Sequence, residues 1–416
     1  MSRPSLAKQA VQAHYFSAVL QVQPEKVLQM DQSKIANVLK PVETANGLPN
    51  ENYTSDAVFE IEKQKILFDN WSGVGFAKDV PDVGDAMPVD FLGMPLLVVH
   101  GKDGQVRVFQ NTCRHRGMIL VDEKKNIGTG VIRCAYHSWC YAQSGELVTT
   151  PHVGGPGQNS HADVKRDELG LIEIRSYIWR DVIFVNISGT APDFADYAGD
   201  VMDRWAEFDG KPFYHSGADS GFKLEAKSNW KLAVENYCES YHLPWIHPGL
   251  NSYSKLEDHY HIESPGKYSG QGTMVYRPSI GKDGQSFPDF AGLSDKWDTG
   301  AEYIALYPNV LLAAHRDHAY ALILEPLAKD QTLEHVEIYY ASKTAIGPEF
   351  ADLRIANTTL WQGVLDEDIF VIEGMQKGRH AVHFDGGKFS PVMDSPTWCF
   401  HQWVASNLVE SPLAAE

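Results

Sequence analysis

Long apolar runs are missing from this chain. None of its 416 residues fall in a stretch of the roughly 20 predominantly apolar positions that span a bilayer, and the uncharged run Tyr303 to His315 is interrupted by Pro308 and Asn309. Cations are scarce as well. Lys and Arg number 36 against 54 Asp and Glu, a formal charge of -18, which argues against nucleic acid as the main partner because phosphate binding needs surplus positive charge. Five cysteines are too few for a disulfide scaffold at this length. No Gly-x-Gly-x-x-Gly follows a strand and no plant-type ferredoxin cysteine spacing occurs, so the chain itself offers no nicotinamide or flavin site. Gln9, Gln12 and His14 break the apolar positions of the N-terminus, unlike a signal peptide. Repeats and low-complexity segments are absent too. The expectation is a soluble cytoplasmic protein with no membrane segment.

What is present is ordinary globular material, 43% hydrophobic and 22% charged, in a length that suggests two domains. Residues Ser5 to Leu39 read as amphipathic helix, with a soft break at Asn46-Gly47-Leu48-Pro49. From Trp71 to Ile187 short β-like runs alternate with turn signals, among them Leu96 to Val99, Val106 to Phe109, and a hairpin of Tyr177 to Trp179 and Val182 to Val185 around Arg180-Asp181. Beyond Gly189 strands and helices interleave without a βαβ rhythm: a helix over Asn229 to His242, strands of alternating character over Ala301 to Leu327, and a helix over Asp352 to Lys377. That pattern is α+β. The expected divisions are a helical segment 1–51, a small antiparallel β domain 52–188 and a larger helix-and-sheet domain 189–416.

Two short ligand pairs stand where β-runs end. Cys113-Arg114-His115 follows Val106 to Phe109, and Cys134-Ala135-Tyr136-His137 follows Gly130-Val131-Ile132. One Cys-x-His alone is an ordinary pair of side chains. Two at neighbouring strand ends bring two thiolates and two imidazoles around one centre. Structural zinc accepts such a set, while the alternating order suits a [2Fe–2S] cluster with both thiolates on one iron and both imidazoles on the other.

A second group lies further on. Glu239 and His242 are three apart and share a face if the helix from Trp230 runs through them. His247 is on the wrong face of a continuous helix, and Pro244 ends that helix so the second imidazole can return. The late helix has an apolar stripe of Trp361, Val364, Leu365, Ile369 and Ile372; Asp368 lies on it, while Asp366 and Glu367 fall off it. Two imidazoles and a carboxylate with open positions are the ligand set of non-haem Fe(II) oxygenases.

Together, Cys113-Arg114-His115-Arg116-Gly117, Cys134-Ala135-Tyr136-His137-Ser138-Trp139, the His242/His247 pair and Glu367-Asp368 resemble the large (alpha) subunits of Rieske non-haem iron oxygenases. Ala135 and Ser138 depart from the Pro and Gly usual there, and neither departure removes a ligand. The resemblance implies a Rieske cluster on Cys113, His115, Cys134 and His137, a mononuclear Fe(II) on His242, His247 and Asp368, and a bridging role for Glu239 between His137 of a neighbouring subunit and His242. It also implies a homotrimer and a separate NAD(P)H-dependent reductase. Glu in the bridging position is similar to the quaternary-ammonium branch acting on carnitine, glycine betaine or stachydrine. The expected reaction is therefore O₂-dependent N-demethylation or C–N cleavage of a small betaine-like compound, with Trp245 and Tyr307 as candidate substrate contacts. Two other readings stay open: an aromatic ring-hydroxylating dioxygenase, and an electron carrier that would not need His242, His247 and Asp368. Cys140, Cys238 and Cys399 read as buried thiols.

Overall fold

The computed structural model describes residues 30–281 and 284–409, so most of the expected N-terminal helix, residues 5–29, lies outside the described residues. The described residues form two compact units, one of residues 72–187 and one that joins the described residues before 72 to those after 187.

The smaller unit is antiparallel β throughout. Strands β1 (Ser72–Phe76), β2 (Asp85–Phe91), β3 (Met94–His100), β4 (Val106–Gln110), β5 (Lys125–Asn126), β9 (Glu173–Trp179) and β10 (Val182–Asn186) form a sheet in the order β1-β10-β9-β4-β3-β2-β5. The short strands β6 (Ile132–Arg133), β7 (Cys140–Tyr141) and β8 (Leu147–Thr149) make a second sheet. The β9–β10 hairpin turns on Arg180 and Asp181, both at positive φ (50° and 67°), the geometry that matches the twist of paired strands. The core between the sheets gathers Leu97, Val99, Phe109, Leu120, Ile132, Trp139, Tyr141 and Leu147, and the thiols of Cys113 and Cys134 are part of it.

In the larger unit, α1 (Gln32–Val38), α2 (Glu51–Thr54) and α3 (Asp56–Glu62) precede α4 (Phe194–Arg204). Then come β11 (Gly221–Ala226), α5 (Trp230–Tyr237), α6 (Leu243–Ile246) and α7 (Pro248–Asn251). The strands β12 (His259–Ser264), β13 (Tyr268–Thr273), β14 (Ala301–Leu306), β15 (Val310–Ala314), β16 (His318–Ala328) and β17 (Gln331–Tyr340) follow, and α8 (Ala351–Gly378) and α9 (Ser395–Leu408) close the fold. The seven-stranded sheet is ordered β11-β17-β16-β15-β14-β13-β12. The alternation expected over Ala301 to Leu327 is absent: β14 and β15 are buried at every position, because both faces of the central strands are covered and neither needs polar residues.

Residues 52–71, read from sequence as the start of the small domain, fold with the larger unit, and the reason is a buried polar network. Tyr53 donates to Glu235 Oε1 at 2.5 Å, and the Arg379 guanidinium lies 3.9 Å above the Tyr53 ring. Lys231 Nζ meets Glu62 Oε2 at 2.5 Å with both side chains fully buried, and Asn52 donates to the other Glu62 oxygen at 2.9 Å. Burial pushes Glu62 up and Lys231 down, each toward its neutral form. These contacts fix α5, whose end launches the site described below.

Breaking such a pair leaves an uncompensated charge. Lys231→Met is expected to cost about 3–5 kcal/mol in guanidinium unfolding of the full chain, and adding Glu62→Leu is expected to recover most of it.

Candidate metal centres

In the small unit two loops of the same build carry the first four candidate ligands. The Cys113 N–H donates to Met118 O and Gly117 N–H to Cys113 O; the Cys134 N–H donates to Trp139 O and Ser138 N–H to Cys134 O. Gly117 (φ 70°) and Ser138 (φ 57°) occupy equivalent left-handed positions, so serine stands where a residue without a Cβ is favoured. The cysteines are buried and the histidines exposed. The two imidazoles are 4.7 Å apart between ring centroids, and His115 stacks on Trp139 at 4.8 Å. Tyr141 Oη lies 3.3 Å from Cys113 Sγ and accepts the Arg114 N–H at 2.9 Å. Burial, then the neighbouring His137, lowers His115, which favours the neutral imidazole that ligates a metal. Burial pushes the Cys113 thiol up, and the Cys134 thiol beside it adds to this.

The second group is assembled from three elements. Helix α5 ends at Tyr237, not beyond His242, so Glu239 and His242 do not share a helix face. They meet because the Glu239 carboxylate folds over the following turn: it accepts the backbone N–H of Tyr241, that of His242 at 3.2 Å and ring Nδ1 of His242 at 2.6 Å. Pro244 does not end a helix either. It sits in the first turn of α6, where its missing N–H costs nothing. One turn on, His247 N–H bonds to Leu243 O, which returns the second imidazole to the side of the first. From α8, Asp368 arrives on the side shared by buried Trp361, Leu365 and Ile372.

His247 Nε2 is 2.9 Å from Asp368 Oδ1, and His242 Nε2 is 3.7 Å from the same oxygen. The ligand atoms of His242, His247 and Asp368 all lie within 4.8 Å of one another, the one group of three drawn in tightly enough for a single ion among the described residues. Glu367, set aside in the helical pattern as off the stripe, accepts from His247 Nδ1 at 2.7 Å. Both Nδ1 atoms are thus occupied by carboxylates, and both Nε2 atoms present lone pairs toward Asp368, whose Oδ1 is buried with no hydrogen-bond donor. Three electron-rich atoms facing one another need a cation between them. Burial lowers His247, but Asp368 and then Glu367 outweigh it and raise the imidazole, so a proton is drawn to where a metal fits.

Around Trp361 the same unit forms an aromatic wall. Tyr320 crosses its ring at 4.9 Å, Tyr276 stacks at 5.9 Å, and His315 and Tyr303 lie at 5.2 and 6.0 Å. The sequence-based substrate contacts are not part of it. Trp245 is 68% exposed and packs edge-on against Tyr241. Tyr307 is fully buried against Phe400 and Trp403, with its hydroxyl bonded to Ser269. Cys140, Cys238 and Cys399 are free and buried.

Residues 70–166 match the Rieske [2Fe-2S] domain family, and residues 214–410 match the ring hydroxylating alpha subunit (catalytic domain) family. The chain belongs to the Rieske non-haem iron oxygenases. Members of this family carry a [2Fe–2S] cluster in the first domain and a mononuclear iron in the second. This oxygenase is 23% identical over 410 residues to the glycine betaine monooxygenase oxygenase subunit of Pseudomonas aeruginosa, covering 90% of this chain and 92% of that one. Its fold is similar to that of a quaternary ammonium Rieske monooxygenase in complex with L-carnitine (TM-score 0.70, 20% identity, 91% and 99% of the two chains). It is equally similar to naphthalene 1,2-dioxygenase from Rhodococcus (TM-score 0.71, 18% identity, 92% and 99%). Fold alone therefore does not choose between amine and arene. No helix among the described residues is long and apolar enough to cross a membrane.

Two outcomes are expected from the local geometry. Glu367→Gln, which weakens the anchor on His247, lowers iron affinity by about 10–100-fold in titrations of the apo protein with Fe(II), with the cluster spectrum unchanged. Ser138→Gly relieves a left-handed residue of about 1 kcal/mol and raises the denaturant midpoint at which the cluster absorbance bleaches.

Proposed function

We propose that this oxygenase uses O₂ to oxidise a small quaternary ammonium compound of the betaine type, removing an N-methyl group or cleaving a C–N bond. The single observation that carries the reading is the aromatic wall of Tyr276, Tyr303, Tyr320 and Trp361, the last of them on the helix that also bears Asp368. A methylated ammonium cannot donate a hydrogen bond and is held by ring faces. The full-length similarity to a glycine betaine monooxygenase subunit supports it.

In this reading Cys113, His115, Cys134 and His137 hold the [2Fe–2S] cluster, and His242, His247 and Asp368 hold the iron. The cluster supplies electrons singly, and the iron supplies O₂ activation beside the substrate. Glu239 and Glu367 keep each Nδ1 protonated and each Nε2 aimed at the metal position. Buried Cys113 and Cys134 with exposed His115 and His137 put the imidazole side of the cluster at the protein surface, where an electron can leave. Glu239 would relay it from His137 of a neighbouring copy to His242, in a homotrimer, with a separate NAD(P)H-dependent reductase as the source and the cytoplasm as the setting. The methyl carbon loses two electrons to become a hydroxymethyl group, which departs as formaldehyde and leaves the tertiary amine.

A single turnover of the reduced, iron-loaded protein with O₂ tests this. The panel holds glycine betaine, carnitine, stachydrine and choline beside simple aromatic acids. Formaldehyde or another aldehyde from one of the amines is expected, and Asp368→Ala should abolish it while keeping the cluster spectrum. Oxidation of an aromatic alone would overturn the quaternary-ammonium reading in favour of ring hydroxylation.

A further inference from the structure

Among the described residues, buried acids in the larger unit come with partners, save one outside the metal site. Glu62 has Lys231, Glu235 has Arg379 and His401, and Glu302 has Arg204 and Lys296. Glu334 is 4% exposed, and no described residue gives its carboxyl a hydrogen bond or a counter-charge. It sits in β17 opposite Leu324 of β16 and Leu224 of β11, on the strand face shared with buried Thr332, Val336 and Ile338. An aliphatic residue would suit that position without cost, whereas an unpaired carboxylate there is expensive.

Its neighbours say what it faces. Tyr320 of β16 pairs with Ile338 of β17, which lies on the same strand face as Glu334, so both side chains project from one face of the sheet, and the charges of Glu334 and Asp368 both act on Tyr320. The Tyr320 ring crosses Trp361 at 4.9 Å, and its hydroxyl is fixed to Tyr237 Oη at 3.1 Å. Burial first and then the Asp368 charge push the Glu334 carboxyl up to about 8.

We propose that Glu334 is the counter-charge for the substrate's quaternary nitrogen, which rests against the rings of Tyr320 and Trp361 next to the turn of α8 that carries Asp368. This rests on the quaternary-ammonium reading and sharpens it. The aromatic faces alone accept any flat or methylated group, and the buried carboxyl selects the one with a permanent positive charge. A neutral arene in the same place would leave the acid unpaired, so Glu334 is a specificity-determining residue.

The test pairs trimethylammonium compounds with their neutral tert-butyl isosteres, such as choline with 3,3-dimethylbutan-1-ol, on the cluster- and iron-loaded full chain. Binding constants and KM are measured for the wild type, Glu334→Gln and Glu334→Asp. The wild type should prefer the cation. Glu334→Gln should lose on the order of 30-fold or more of that preference, mainly in KM, with iron content and cluster spectrum intact. Glu334→Asp should retain most of it, which separates lost charge from lost packing. Full preference in a folded Glu334→Gln protein would overturn the role of Glu334 and leave the substrate class standing. A wild type indifferent to the charge would overturn the substrate class itself.

Discussion

Two imidazole lone pairs and a carboxylate oxygen converge at Asp368, and each of them is held there against its own electrostatics. His247 approaches to 2.9 Å because Glu367 holds its far nitrogen, and His242 points inward because Glu239 holds its own. The backbone serves the same end. Helix α5 stops at Tyr237, leaving Glu239 free to fold over the next turn, and α5 is anchored on its other side by Glu235, Arg379 and Tyr53. Removal of Glu239 or Glu367 loosens the imidazole that it anchors and so weakens the hold of the three donors on a metal.

The two centres use opposite solutions to solvent. In the small unit the thiolate side of the quartet is built into the hydrophobic core and the imidazole side is left at the surface, suited to a group that passes electrons outward. In the large unit both imidazoles and the carboxylate lie under cover, beside rings, suited to chemistry that water would divert.

Much of this could be read from the residues. Asp368 was visible because a 3.6-residue period carries it onto the Trp361, Leu365, Ile372 side, and the Cys/His pairs were visible because strand ends present ligands in short spacings. Glu367 was not, since it lies outside the buried stripe and reaches His247 only by its side-chain length. The end of α5 was equally hidden: Cys238, Glu239 and Ser240 carry no break signal, and the turn is made by the Glu239 carboxylate itself. The membership of residues 52–71 depended on Lys231–Glu62, a pair 169 positions apart that no local pattern reveals. The places of Trp245 at the surface and Tyr307 in the core were not legible either, because aromatic type says nothing about the direction a ring faces.

The indole of Trp361 donates its N–H to His318 Nε2 at 3.0 Å, and His318 in turn gives Nδ1–H to Asp317 at 2.6 Å, with His315 stacked on it at 4.2 Å. This chain ties the middle of α8 to the hairpin between β15 and β16. Its consequence is entropic. The largest ring of the cluster has spent its rotational freedom during folding, so any ligand that reached this side of α8 would lose little affinity to side-chain ordering.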